Sequence, residues 1–140
     1  MSSRFGPIPP RAPIYLSGPQ TLHGSPVWHA AIRSLQTQFP ASPIWSPKEI
    51  FQSRDDWRAH LASRLRECGG LVFLADADAW LGKGVDTEIA AARALGLPVG
   101  WLTPRSELLA IEAIELGPPN EADWIRYRKA RPTGTPGVAR

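Results

Sequence analysis

The 140-residue sequence has a single cysteine, Cys68, which therefore has no partner for an intrachain disulfide. This scarcity is typical of a reducing compartment, and we expect a cytoplasmic protein. No segment approaches the ~18 consecutive apolar residues that a membrane span needs. The N-terminal MSSRFGPIPP also lacks the apolar segment of a secretory signal. We therefore expect no membrane partner.

A strong excess of one charge is also missing. The net charge is +3, and part of the basic side chains lie in or near the C-terminal RPTGTPGVAR. A nucleic-acid polymer would need Lys and Arg on one folded face, so we do not expect that partner. The three histidines, His23, His29 and His60, are not at metal-ligand spacing, and neither a GxGxxG fingerprint nor a Walker lysine is present. We expect no metal and no cofactor.

Proline is abundant but unevenly placed. Nine of the 15 prolines fall within residues 7–47, six within 98–136 and none within 48–97. Regular structure should therefore be densest in the central window. The 43% of apolar residues excludes wholesale disorder. These features predict a Pro-rich N-terminal extension over 1–13, a single domain over 14–129 and a flexible basic tail over 130–140.

Local patterns predict strands that alternate with helices. The predicted strands are 14–17, 44–45, 71–75 and 98–102. The predicted helices are 26–39, 54–68, 85–95 and 120–129, whereas 106–116 fit either element. Ser25 and Ser53 are candidate N-caps, and Gly96 is a candidate helix stop. This order is typical of a three-layer α/β domain around a parallel sheet, with the site at the carboxyl ends of the strands.

The loop after the first strand is a candidate ligand site. Ser17-Gly18 directly after a strand can present a hydroxyl and backbone N–H groups to an anion or a sugar. His23 lies in the same loop and is a candidate ligand contact. The alternative is a tight turn that needs glycine and proline only for its shape.

The loop after the third strand, ADADAWLGKGVDTE, gathers four carboxylates. Glu88 is predicted in the first turn of the next helix, where the helix N-terminus favours the ionised form. An ionised carboxylate at the mouth of a parallel sheet is a candidate nucleophile toward a sugar C1. Asp76, Asp78 or Asp86 could protonate or position the leaving group, with the ~5–5.5 Å separation of a retaining carboxylate pair. The alternative is that these acids only cap the loop and the helix.

The tryptophans divide into two groups. Trp28, Trp57 and Trp101 fit core positions, and Trp57 begins a helical stripe that ends at Cys68. Trp45 and Trp80 fall at or beside the carboxyl ends of strands, where an indole can stack on a base. The alternative for Trp80 is a packing role, and Cys68 fits an inert core position.

Three motifs together resemble the nucleoside 2-deoxyribosyltransferase-like superfamily, which includes nucleotide N-glycoside hydrolases and domains of unassigned activity. They are IYLSGP, the pair ECGG and LVFLA, and GKGVDTEIAAARALGLPV, and the resemblance spans roughly residues 14–102. It implies a Rossmann-like or flavodoxin-like parallel sheet of four to five strands, assembled as a homodimer or higher homo-oligomer. The chain departs from the pattern at His60-Leu61, where many members carry an aspartate.

The resemblance implies a function and assigns roles to residues. Glu88 would be the nucleophile on the (deoxy)ribose C1, and an acid of the 76–86 loop would assist. Tyr15, Ser17 and Gly18 would line the sugar or phosphate side, and Gly84 matches the glycine that precedes the glutamate. We therefore expect cleavage or transfer of an N-glycosidic bond on a nucleoside or nucleoside 5′-monophosphate. The alternatives are a catalytically silent nucleotide-binding or sensing module and an interaction domain with exposed indoles.

Overall fold

The computed structural model describes residues 8–9, 11–19, 22–74, 80–103, 105–110, 114–116 and 127–132. Side chains are described at 8–9, 11–19, 22–74, 84–103 and 105–109. The elements in chain order are β1 (Ile14–Ser17), α1 (Pro26–Gln38), β2 (Ile44–Trp45), α2 (Pro47–Ile50), α3 (Arg54–Arg66), β3 (Gly70–Phe73), β4 (Trp80–Gly82), α4 (Lys83–Ala94), β5 (Val99–Leu102), β6 (Leu108–Ala110), β7 (Ile114–Leu116) and β8 (Tyr127–Pro132).

The main sheet has five strands in the order β2-β1-β3-β5-β6. The first four are parallel, and β6 runs antiparallel to β5. Strands β4, β8 and β7 form a second, antiparallel group. The prediction of an α/β fold around a mostly parallel sheet is confirmed. The antiparallel edge strand and the second group of strands were not predicted.

Apolar side chains cover both faces of the main sheet, because neighbouring residues of a strand point to opposite sides. Along β1, Ile14 and Leu16 belong to one apolar cluster, whereas Tyr15 belongs to the other. The first cluster packs residues of α1 against the sheet, and the second packs residues of α3 and α4. The continuous apolar runs of β1 and β3 follow from this burial on both sides.

Short-range signals place the ends of three helices. Ser25 caps α1 by accepting a hydrogen bond from the Trp28 N–H, and Ser53 caps α3 in the same way. Gly96 ends α4 with a φ of +75°, and the Leu97 N–H donates to the Ala92 carbonyl across that turn. Only glycine adopts this backbone conformation without strain. These three predictions from the sequence are confirmed.

Several segments differ from the prediction. Residues 46–54, expected to form a loop, contain the short helix α2. A helix was expected over 120–129, yet residues 127–132 form strand β8, and 117–126 lie outside the described residues. The ambiguous segment 106–116 contains β6 and β7. Within the predicted N-terminal extension, Ile8, Pro9 and Ala12 pack closely around Gly69.

None of the described helices has the length and apolar character needed to cross a membrane.

Candidate active site at the carboxyl ends of β1 and β3

The strand order reverses at β1, and this reversal defines the position of the site. The chain passes from β1 to β2 on one side and then returns across β1 to β3 on the other. In such sheets the loops diverge at the carboxyl ends of the two central strands, and the crevice between them binds ligands. Tyr15 and Ser17, two residues apart on β1, face the side of the sheet that α3 and α4 cover.

Glu88 of α4 lies directly against these two residues. Its side chain is 4% exposed, and its carboxylate accepts hydrogen bonds from three donors. The Ser17 hydroxyl donates to Oε1 over 2.5 Å, whereas the Tyr15 hydroxyl donates to Oε2. The Trp57 indole N–H also donates to Oε2, over 2.8 Å. Residues from β1, α3 and α4 thus hold one buried carboxyl group in a fixed orientation.

The electrostatics of Glu88 differ from the prediction. Glu88 was expected in the first turn of its helix, but α4 begins at Lys83, so Glu88 lies in the second turn. The helix N-terminus acts mainly on the first turn and therefore does not explain its charge state. Burial raises the pKa of Glu88, while the hydrogen bonds from Ser17, Tyr15 and Trp57 oppose that increase. None of the ion pairs of the described residues includes Glu88.

Tyr15 responds to the same environment. Its side chain is fully buried, and burial raises the pKa of its hydroxyl well above the usual range. The negative charge of Glu88 and the hydrogen bond to it raise this pKa further. The Tyr15 hydroxyl therefore stays protonated and can donate a hydrogen bond to the carboxylate over the pH range in which Glu88 titrates.

Trp57 is the site residue that the sequence did not reveal. The stripe from Trp57 to Cys68 predicted a core role, and the ring does pack against the core beside Tyr15. Helical periodicity places a side chain on a face but does not show where its polar atom points. A tryptophan in the first turn of a helix that packs over the site was the available signal, since buried indole N–H groups usually find an acceptor.

The loop after β1 is braced by packing. A Cβ on Gly18 would lie 2.9 Å from the Trp28 ring, so glycine is needed here for the close approach of that ring. His23 Nε2 donates to the Gly18 carbonyl over 3.0 Å, and its ring lies 4.2 Å from the Trp28 ring between centroids. Burial lowers the pKa of His23. Its Nδ1 is then an acceptor, buried and without a partner among the described residues.

Among the described residues, none of the other predicted site residues donates a hydrogen bond to the Glu88 carboxylate. Trp45 packs against the core, and the Arg64 guanidinium lies 5.7 Å from its ring centroid. Gly84 is exposed on α4, where a Cβ would meet nothing within 4 Å. Asp86 lies on α4 two residues before Glu88, and side chains at that spacing do not share a helix face. Asp76, Asp78 and the side chain of Trp80 lie outside the described residues.

The position of the expected family aspartate holds no carboxylate. His60 is exposed and contacts Asp56 on the same helix, at 2.7 Å between Nδ1 and Oδ1. Leu61 is part of the buried core. The described tryptophan side chains are buried or half-buried, which gives no support to an interaction domain with exposed indoles. The described residues also contain no group of three or more side chains that could hold a metal ion.

No protein-family model matches the chain, and no curated protein matches it. Any function of this chain is therefore a proposal that rests on the residues of the site and on the resemblance of the three sequence motifs.

Proposed function

We propose that this protein cleaves or transfers the N-glycosidic bond of a nucleoside or nucleoside 5′-monophosphate, with Glu88 as the nucleophile. The observation that carries the proposal is the buried carboxylate at the carboxyl ends of β1 and β3, held by Tyr15, Ser17 and Trp57. A Glu88 side chain turned to solvent would have argued against an enzyme. A carboxylate whose pKa is shifted by burial and which lies at a topological switch point is typical of a catalytic group.

The proposed reaction has two steps. One Glu88 oxygen attacks the sugar C1 while the C1–N bond breaks, and its electron pair leaves with the base, which takes up a proton. The product is a glycosyl ester of Glu88. Water or a second base then attacks C1 and gives a proton to the acid that protonated the leaving base and is now a carboxylate, and the electron pair of the C1–O bond returns to Glu88. Asp76 or Asp78 is the proposed source of the proton for the leaving base, whereas the position of Asp86 on another face of α4 disfavours it in that role.

The loop after β1 is the proposed contact for the sugar. Gly18 and His23 border the carboxyl end of β1 next to Ser17. The Nδ1 of His23, which has no partner among the described residues, is an acceptor, and an acceptor suits a sugar hydroxyl better than a phosphate. Trp45 and Trp80 remain the proposed platforms for the base, although the Arg64 guanidinium already covers the Trp45 ring.

Chromatography of released bases tests the proposal. A panel of nucleosides and nucleoside 5′-monophosphates is incubated with the wild type, Glu88→Ala and Glu49→Gln. Glu49 is an exposed glutamate of α2 and serves as the matched control. We expect base release by the wild type and the control and a loss of several orders of magnitude in Glu88→Ala. Unchanged release by Glu88→Ala would exclude its role as nucleophile.

A second function, a catalytically silent nucleotide-binding or sensing module, is favoured by one observation. The helix that should supply the family aspartate presents an exposed His60 and a core Leu61 instead. Calorimetry with the same panel distinguishes the two functions. Nucleotide binding without turnover supports the silent module, and the absence of binding argues against both.

We also propose that the chain forms a three-layer Rossmann-like domain, which the two apolar clusters on opposite faces of the sheet support. We propose that it assembles as a homodimer or larger homo-oligomer, as the family resemblance implies, and that it is cytoplasmic, in keeping with its single cysteine. Light scattering coupled to size-exclusion chromatography measures the assembly, and a monomer at all concentrations would contradict it.

A further inference from the structure

We propose that Trp57 is a positioning residue which, together with Tyr15, occupies Oε2 of Glu88 and so leaves Oε1 as the reacting oxygen. The catalytic part of this inference rests on the proposed function. The part that concerns the carboxyl group can be tested without any turnover.

The hydrogen bonds of Glu88 distinguish its two oxygens. A carboxylate offers about four lone-pair sites, two on each oxygen. Oε2 accepts from both Tyr15 and Trp57, which uses its two sites. Among the residues that the structure describes, only Ser17 donates to Oε1. Among the described donors, one lone pair is therefore left, and it belongs to Oε1, the oxygen beside the carboxyl end of β1.

Trp57 is the donor that fixes this assignment. The hydroxyls of Tyr15 and Ser17 rotate and can act as donor or acceptor, whereas an indole N–H can only donate. A proton on Oε2 would have to point at Tyr15 and would leave Oε2 only one lone pair for the indole N–H. A proton on Oε1, which the Ser17 hydroxyl can turn and accept, leaves both acceptor sites of Oε2 intact and is the arrangement that suits Trp57. Trp57 thus favours Oε2 as an acceptor in both charge states.

The helix that carries Trp57 is held firmly at its first turn. The Ser53 hydroxyl accepts from the Asp56 N–H over 3.1 Å, and the Asp56 carboxylate accepts from the Gln52 N–H over 2.8 Å. The Trp57 N–H donates to the Ser53 carbonyl over 3.0 Å. These bonds fix the backbone from which the indole reaches Glu88.

The arrangement suits both proposed steps. When Oε1 forms the ester with C1, Oε2 becomes the ester carbonyl oxygen and keeps its two donors. In the second step the C1–Oε1 electron pair returns to the carboxylate, and the same donors stabilise the returning charge. Tyr15 and Trp57 therefore act on the leaving carboxylate without contacting the sugar.

The first test follows the Glu88 carboxyl itself by infrared difference spectroscopy across pH, with Glu88→Gln used to assign the band. In Trp57→Phe the ring is retained and the N–H is lost, so we expect half-protonation at a higher pH than in the wild type. Trp45→Phe is the matched control, because Trp45 packs against the same core without a hydrogen bond to Glu88. An unchanged midpoint in Trp57→Phe would show that Trp57 only packs.

Other titratable groups do not interfere with this measurement. Among the described residues those that affect the site are the Tyr15 hydroxyl and, next to it, the Cys68 thiol. Burial raises the pKa of Cys68 to about 12, and the pKa of Tyr15 is raised as well. Both stay protonated while Glu88 titrates.

A second test needs no Trp57 variant. In the nuclear magnetic resonance spectrum of the wild type, one indole N–H resonance should titrate together with the Glu88 carboxyl and cease to titrate in Glu88→Gln. If no indole N–H follows Glu88, the inference is overturned even when Trp57→Phe does not fold.

Kinetics separates this inference from the proposed function. With an active substrate, Trp57→Phe should lower kcat roughly tenfold, the effect of one hydrogen bond to a charged group, with KM near the wild-type value. If the carboxyl midpoint shifts in Trp57→Phe but neither the wild type nor any variant releases a base, the role of Trp57 at the carboxyl group is upheld and the proposed enzymatic function is refuted. Base release with an unchanged midpoint and an unchanged kcat would refute the inference alone.

Discussion

The substitution Glu88→Gln should make the protein more stable than the wild type, and increasingly so as the pH rises. Glutamine has the shape of glutamate and can keep most of the hydrogen bonds. Its amide oxygen takes the place of Oε2 and accepts from Tyr15 and Trp57. Its NH₂ group takes the place of Oε1 and donates to the Ser17 hydroxyl. The opposite orientation would bring N–H against N–H at Trp57 and is excluded.

The size of the effect follows from proton linkage. Burial raises the pKa of Glu88 in the folded state above its value in the unfolded chain. Between these two values the folded protein binds more protons than the unfolded one, so the free energy of unfolding decreases as the pH rises. The decrease approaches ~1.4 kcal/mol for each pH unit and ends above the folded pKa. Glutamine does not titrate, so the variant escapes this loss.

Urea denaturation of both proteins between pH 4 and pH 8 measures the difference directly. At each pH the free energy of unfolding of the wild type is subtracted from that of Glu88→Gln, which cancels the titrations that the two proteins share. The rearranged Ser17 hydroxyl shifts this difference by the same amount at every pH. Glu49→Gln makes the same change at an exposed position of α2 and serves as the control for a glutamate outside the buried cluster. A wild type that gains stability over Glu88→Gln as the pH rises would refute the reasoning. Such a result would mean that the three donors outweigh burial and favour the ionised form.

Three other perturbations test the packing around the site. Gly18→Ala should lower the free energy of unfolding measured in urea by ~1–3 kcal/mol, because its Cβ would lie 2.9 Å from the Trp28 ring. In Gly84→Ala the new Cβ meets nothing within 4 Å, so the free energy of unfolding should not fall. Ser25→Ala should cost ~1 kcal/mol by the same assay through loss of the α1 N-cap, and an unchanged stability would contradict that role. Cys68, whose thiol pKa burial raises to about 12, should resist iodoacetamide in the native protein at pH 8 and react after unfolding, as mass spectrometry would show.

The elements that were predicted well depend on short stretches of sequence. Ser25 and Pro26 together define a helix start, and the run from Leu71 to Leu74 defines a strand buried on both faces. The segment 106–116, which contains the edge strand β6, fitted either helix or strand, and the strand at 127–132 was not predicted. The pairing of β8 depends on partners far along the chain, such as Lys129 with Trp80, whereas β6 pairs with β5 across a short turn. Short strands of this kind carry little local signal.

The site shows the same division between local and distant information. A glutamate that follows a glycine-rich loop identified Glu88, and a strand followed by Ser-Gly identified Ser17. The burial of Glu88 and its contact with Trp57 could not be predicted, because both depend on how α3 and α4 pack over β1. The expected stabilisation by the helix N-terminus was wrong for a related reason. That expectation depended on knowing the residue at which α4 begins, and sequence defines the ends of a helix less well than any other part of it.

The reversal of strand order explains why these residues meet. A crossover between parallel strands is almost always right-handed. A connection that moves to one side along the sheet therefore places its helix on one face, and a connection that moves to the other side places its helix on the opposite face. The step from β1 to β2 places α1 on one face, and the steps from β2 to β3 and from β3 to β5 place α3 and α4 on the other. Trp57 and Glu88 therefore come together above Tyr15 and Ser17.

The chemistry of this cluster is unfavourable for stability alone. Apolar side chains of similar volume are often as good for stability as buried charged groups, or better, and a buried carboxyl group without a cation has to be compensated by hydrogen bonds. Three donors from two other elements compensate Glu88 in part, yet burial still raises its pKa. The rest of the same cluster is built from apolar and aromatic side chains, so packing alone does not require a carboxyl group there. The cost is local and lies at the carboxyl ends of the central strands, and this position supports the proposed chemistry at Glu88.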